Sequence, residues 1–137
     1  MVKKMRDALP LVWREIPERY NLIGSICENC KKEFFPQRVI CPNCRRKGHL
    51  VPKKMPDEGK IYSFTEVHAA AKGFENETPY MLAIIELTNG VRILSHIVDS
   101  PGEKINFGIP VKAVFRKIFS DGDEGIIAYG FKFKIID

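Results

Sequence analysis

The sequence predicts a mainly β protein with a short N-terminal helical segment and a four-cysteine metal ribbon, followed by a five-stranded β-barrel. Three observations predict it. All four cysteines stand in two CxxC pairs, Cys27–Cys30 and Cys41–Cys44, in the first third of the 137-residue chain. From Gly59 onward, five stretches rich in β-branched and aromatic residues alternate with turn signals. The charge also divides. Residues 1–56 carry 13 Lys/Arg and 5 Asp/Glu, a balance of +8, whereas residues 57–137 carry 9 and 12, a balance of −3. Two units, 1–56 and 57–137, are therefore expected.

Composition sets the class. Hydrophobic residues make up 45% and charged residues 28%, as in soluble globular domains. The longest unbroken apolar run, Met81–Ile85, is far shorter than the roughly 20 residues that span a bilayer. The basic start Met1-Val2-Lys3-Lys4 is followed by Arg6, Asp7 and Pro10, which interrupt any signal-peptide apolar region. The reading is of a cytoplasmic protein without membrane association, whose thiols stay reduced.

From Pro10 to Leu22 the apolar residues Leu11, Val12, Ile16 and Tyr20 recur at helical spacing, with Trp13 beside them. Pro17 interrupts the pattern and predicts a short helix or two helical turns. So short a segment must dock on something to persist. Trp13 serves either as a core anchor or, with Tyr20, as a candidate partner interface.

The ribbon reads Cys27-Glu28-Asn29-Cys30, ten residues, then Cys41-Pro42-Asn43-Cys44. Each pair presents two sulfurs from a tight turn. Phe34-Phe35-Pro36 and Val39-Ile40 are the expected strands of the hairpin that joins them. Four thiolates suit zinc in a closed tetrahedral site, and a single rubredoxin-type iron is the other metal such a set holds. A closed shell leaves no position for substrate, so the expected role of Cys27, Cys30, Cys41 and Cys44 is structural. Lys31, Lys32, Arg38, Arg45, Arg46 and Lys47 surround the ribbon. Such residues ordinarily form a solvated surface; they also suit nucleic acid, an acidic protein or cofactor phosphates. Pro52 and Pro56, with Lys53 and Lys54 between them, read as a linker or crossover.

In the second unit, Lys60–His68 is the first expected strand and Ala69–Pro79 a long polar loop. Tyr80–Thr88 and Val91–Val98 flank Asn89-Gly90, a strong hairpin signal. Val111–Phe119 is the fourth strand and Asp121–Gly125 a turn. In Ile126–Ile136, Ile127, Tyr129, Phe131, Phe133 and Ile135 alternate with Ala128, Gly130, Lys132 and Lys134. That period of two predicts one buried and one wetter face. Five strands in so few residues fit a small barrel, of which the oligonucleotide/oligosaccharide-binding (OB) fold is the best-known case; a twisted open sheet is the alternative.

Five stretches together resemble the family once called "domain of unknown function thirty-five". They are Ile16-Pro17-Glu18-Arg19-Tyr20-Asn21-Leu22, Phe34-Phe35-Pro36-Gln37-Arg38, Cys41-Pro42-Asn43-Cys44, Glu58-Gly59-Lys60-Ile61-Tyr62-Ser63-Phe64-Thr65 and Pro79-Tyr80. The resemblance implies a rubredoxin-like zinc ribbon followed by an OB-fold barrel, in a protein associated with acyl-CoA enzymes. For a small archaeal-type chain it implies a non-catalytic subunit joining acetoacetyl-CoA thiolase to 3-hydroxy-3-methylglutaryl-CoA (HMG-CoA) synthase in the mevalonate route. Two departures stand out. Lys31 and Arg45 follow the CxxC pairs where the family often has glycine, and Pro36-Gln37 replaces a double proline.

No catalytic constellation is evident. His49, His68 and His96 are scattered, and Ser95, His96 and Asp99 fall on opposite strand faces rather than forming a triad. No glycine-rich phosphate loop is present. Coenzyme A has candidate contacts in Gly73, Phe74 and Tyr80. One alternative is a nucleic-acid-binding ribbon and barrel, resting on the ribbon's charge and on Tyr62, Phe64 and Tyr80; the acidic barrel unit argues against it. The other is an acyl-CoA-binding accessory of a different thiolase or hydratase.

Overall fold

The computed structural model describes residues 9–71, 74, 78–100, 102–120 and 127–136. The predicted turn at 121–125 lies outside the described residues. Among those described, no helix is long and apolar enough to cross a membrane.

The first element is a single helix, α1 (Leu9–Asn21), which runs through Pro17. Proline withdraws one hydrogen bond, the one owed to the Trp13 carbonyl. Trp13 is on the exposed face of the helix, where water can take the missing donor's place, so the helix is not divided. It ends at Leu22, whose φ of 52° turns the chain and whose N–H bonds the Glu18 carbonyl at 3.2 Å.

Three short strands follow: β1 (Ile23–Cys27), β2 (Glu33–Phe34) and β3 (Leu50–Lys54), in the order β2-β1-β3. This corrects two expectations. Val39-Ile40 is not a strand, and the partner of Glu33-Phe34 is β1. The stretch around Pro52 is not a linker but strand β3, antiparallel to β1, with Pro52 opposite Ser25. Proline is tolerated there because β3 is an edge strand. Gly24 is required at the centre: a Cβ there would stand 2.3 Å from the Phe34 carbonyl oxygen.

The remaining strands are β4 (Glu58–Val67), β5 (Tyr80–Leu87), β6 (Arg92–Ile97), β7 (Pro110–Ser120) and β8 (Ile127–Ile135). They close into a barrel, β4-β5-β6-β8-β7, rather than an open sheet. Neighbours are antiparallel except β6 and β8, which meet in parallel at Ile97 and Phe133. Asn89-Gly90 makes the predicted hairpin, with Gly90 at φ 85°.

Inward residues of these strands form the core: Ile61, Ala83, Ile85, Leu87, Ile93, Ile97, Val111 and Phe133, capped by Ile105. Leu22 and Met55 belong to the same cluster, so one core runs from the ribbon into the barrel. Polar contacts follow the same route. The Asn89 amide donates to Glu33 Oε2 at 2.7 Å, and Glu33 also pairs with Lys53.

The two faces of β8 keep their alternation but not their expected surroundings. Lys132, on the face predicted to be wet, is buried. Helix α1 lies against this strand, and a Cβ on Gly130 would come within 3.3 Å of the Arg19 carbonyl oxygen. Ile127 and Tyr129, on the face predicted to be buried, are exposed, because β7 and β8 run on past the barrel body.

Candidate metal centre and recognition surfaces

Cys27 ends β1 and is fully buried; Cys41 is buried beside it, and Cys30 and Cys44 are half-buried. All four Sγ atoms lie within 4.8 Å of one another, with Cys30 and Cys41 at 3.6 Å. Sulfurs about 2.3 Å from a tetrahedral zinc stand roughly 3.8 Å apart, so the cluster fits the ion.

The surrounding dipoles fit it too. The Cys30 backbone N–H, with those of Asn29 and His49, outweighs burial and holds the Cys27 thiol down to about 6. The Lys32 N–H likewise lowers Cys30. The Asn29 amide, 3.2 Å from Cys44 Sγ, favours its thiolate, but burial and the other three cysteines prevail and push it up to about 11. Four sulfurs so close cannot all ionise alone, and a divalent cation supplies the missing charge. The donor set is all sulfur, so the chemistry it supports is a structural cross-link between two turns.

Each turn is closed the same way. Lys31 N–H bonds the Cys27 carbonyl and Arg45 N–H the Cys41 carbonyl, both at 2.8 Å. Both residues adopt positive φ, 62° and 51°. These are the two places where the resemblance expects glycine. Left-handed backbone costs a side-chain-bearing residue about 1 kcal/mol. Glycine at Arg45, and at Lys31, is therefore expected to stabilise the metal-bound protein by up to about 1 kcal/mol, less the entropy glycine returns to the unfolded chain. Chemical denaturation of R45G checks this; a lower midpoint than wild type would contradict the strain.

Sequence reasoning passed over three contributors to the site. Asn29 and His49 tune the sulfurs, and Gly48 lets the chain pass: a Cβ there would be 2.7 Å from that of Cys41. Asn29 and Gly48 carried a signal in their places inside and just after the CxxC pairs. The His49 contact is a backbone one, invisible in side-chain identity.

The other candidate residues are spread over the surface. Gly73 lies outside the described residues. Phe74 and Tyr80 do meet, with ring centroids 6.0 Å apart. His96, one of the scattered histidines, joins them, stacked on Tyr80 at 4.8 Å and 5.2 Å from Phe74. Trp13 is 75% exposed, which removes the core-anchor alternative. Tyr20 sits edge-on to Phe115 at 5.0 Å, and Phe115 stacks with Tyr129, so Tyr20 belongs to an aromatic group between α1 and the β7–β8 hairpin. Asp99 is engaged by Arg116 at 2.5 Å, which holds its carboxyl below the usual range. Ser95 is buried in the barrel while His96 faces outward with Leu82, so no triad assembles among these residues.

Comparison with known proteins agrees with this architecture. Residues 14–49 match the ChsH2 rubredoxin-like zinc ribbon domain, and residues 53–116 the ChsH2 C-terminal OB-fold domain. A DUF35 domain-containing scaffold protein of Methanocaldococcus jannaschii is 51% identical over 91% of this chain and 89% of its own length. The benzoylsuccinyl-CoA thiolase subunit BbsA of Thauera aromatica is 32% identical over 59% of this chain and 54% of its own. The solved structure of an Ltp2-ChsH2(DUF35) aldolase covers 95% of this chain and 94% of its own, with a TM-score of 0.69 and 25% identity. This chain therefore belongs to the DUF35 family, and it carries a zinc ribbon followed by an OB-fold barrel.

Proposed function

We propose that the protein is a non-catalytic, cytoplasmic scaffold subunit that bridges acetoacetyl-CoA thiolase and HMG-CoA synthase. The observation that carries this is near full-length similarity to a scaffold protein, in a chain whose candidate metal site is a cluster of four cysteine sulfurs. The similarity to a thiolase subunit supports acyl-CoA enzymes as the clients. Zinc, held by Cys27, Cys30, Cys41 and Cys44, fixes the ribbon. Thiolase condensation of two acetyl-CoA molecules is uphill, so handing acetoacetyl-CoA directly to the irreversible synthase step draws it forward. Holding two enzymes together raises the effective concentration of the intermediate without new chemistry. Phe74 and Tyr80, with His96, are proposed to contact coenzyme A in a site shared with the enzymes.

Gentle affinity purification from the native source, with mass spectrometry of what is retained, tests this. Joint recovery of the thiolase and the synthase is the expected result. Recovery of nucleic acid or ribosomal proteins in their place would overturn it. A second reading, an accessory of another acyl-CoA enzyme, is favoured by the thiolase-subunit relative and the aldolase neighbour. The identity of the retained enzyme separates the two.

A further inference from the structure

The loop between β2 and the second cysteine pair ends in two adjacent β-branched residues that the fold does not use. Val39 is 95% exposed and Ile40 67%. The loop itself is well fastened. Gln37 N–H donates to Glu18 Oε1 at 3.3 Å, Arg38 N–H donates to Ser25 Oγ at 3.2 Å, and the Arg38 guanidinium lies 5.0 Å from the Phe34 ring centre. Immediately after Ile40, Cys41 is buried in the metal cluster. The apolar pair is thus held out on a loop anchored at both ends, and little ordering entropy is lost when it is covered.

The same ribbon carries Lys31, Lys32, Arg38, Arg45, Arg46 and Lys47, all exposed. Among the described residues none of the six is in an ion pair, and Glu33 of the same ribbon is taken by Lys53 and Asn89. Four thiolates on a divalent ion carry −2, which offsets only part of this charge.

Resting on the bridging reading above, we propose that this tip seats in an apolar socket with an acidic rim on one of the two bridged enzymes. The aliphatic pair fills the socket, and the basic collar finds its counter-charges on the rim. Charge complementarity selects an acidic surface. The segment Pro36–Leu50, which carries Val39, Ile40 and four of the six basic residues, contains no Trp, Tyr or Phe, which disfavours base stacking and a bilayer interface, both of which draw on those rings.

The test measures affinity of the full-length chain for each purified enzyme separately, at low and high salt. V39S/I40S is expected to weaken one enzyme at least tenfold, leave the other within about twofold, and keep one metal per chain. R46E/K47E is expected to weaken the same enzyme and flatten its salt dependence; it decides the matter if V39S/I40S loses metal. Wild-type affinity of both variants for both enzymes would overturn the docking site and leave bridging intact. If the wild-type chain binds neither enzyme, the bridging reading falls and the docking site with it. Binding to anionic phosphatidylglycerol vesicles or to a single-stranded oligonucleotide that is lost in the variants, with enzyme affinities unchanged, would also overturn it.

Discussion

Replacing Cys41 by serine is expected to yield protein without stoichiometric metal and with an unfolded ribbon. Cys41 is 1% exposed, its sulfur lies 3.6 Å from that of Cys30, and it accepts the Cys44 N–H at 3.4 Å. Structural zinc contributes about 10–16 kcal/mol in zinc-finger peptides, as much as the whole stability of an ordinary domain at about 5–15 kcal/mol. Serine is a poor ligand at neutral pH, and three clustered sulfurs would be left to share the repulsion that already raises Cys44. The effect should extend beyond the ribbon, because Leu22 and Met55 join the barrel core. Metal per chain by atomic absorption, and thermal unfolding followed by circular dichroism, check this. A C41S protein with one metal per chain and a wild-type melting temperature would refute the structural role of the site.

Phe133→Ala should give the largest loss in the barrel, about 3–5 kcal/mol. Phe133 is fully buried, pairs with Ala113 on β7, and meets Ile97 where β6 and β8 close the barrel. Its carbonyl also accepts the Val98 N–H at 2.8 Å. Truncation leaves a cavity beneath the seam where the ring of strands is joined by few hydrogen bonds, so it removes packing where the barrel has least else to hold it. For a chain of this size the melting temperature should fall by roughly 10–20 °C. Leu94→Ala is the control, at a residue 67% exposed, with an expected change within about 0.5 kcal/mol. Equal effects at the two positions would mean that the core does not lie where the strand register puts it.

Local chemistry was legible in the sequence where one residue type has one physical use. The CxxC pairs specified a sulfur-bound metal, Asn89-Gly90 a tight hairpin, and the alternation ending at Ile135 a strand. The places of the positive φ at Lys31 and Arg45 were marked too, as the two positions where the resembled family often has glycine. Val39-Ile40 misled because β-branched composition reports strand propensity but not a partner, and β2 pairs with β1 instead. Pro52 misled for the converse reason, its cost vanishing on an edge strand that the sequence does not mark.

The sequence alone determined the four-cysteine site, the order of helix, ribbon and five strands, and the charge that separates ribbon from barrel. Tertiary structure decided barrel closure over an open sheet, the burial of Lys132, the exposure of Trp13, Val39 and Ile40, and the meeting of Phe74, Tyr80 and His96. The difference is one of range. Ligand spacing, turn residues and strand periodicity act over a few residues, whereas closure and exposure depend on which distant surfaces meet, as α1 meets β8 and β6 meets β8.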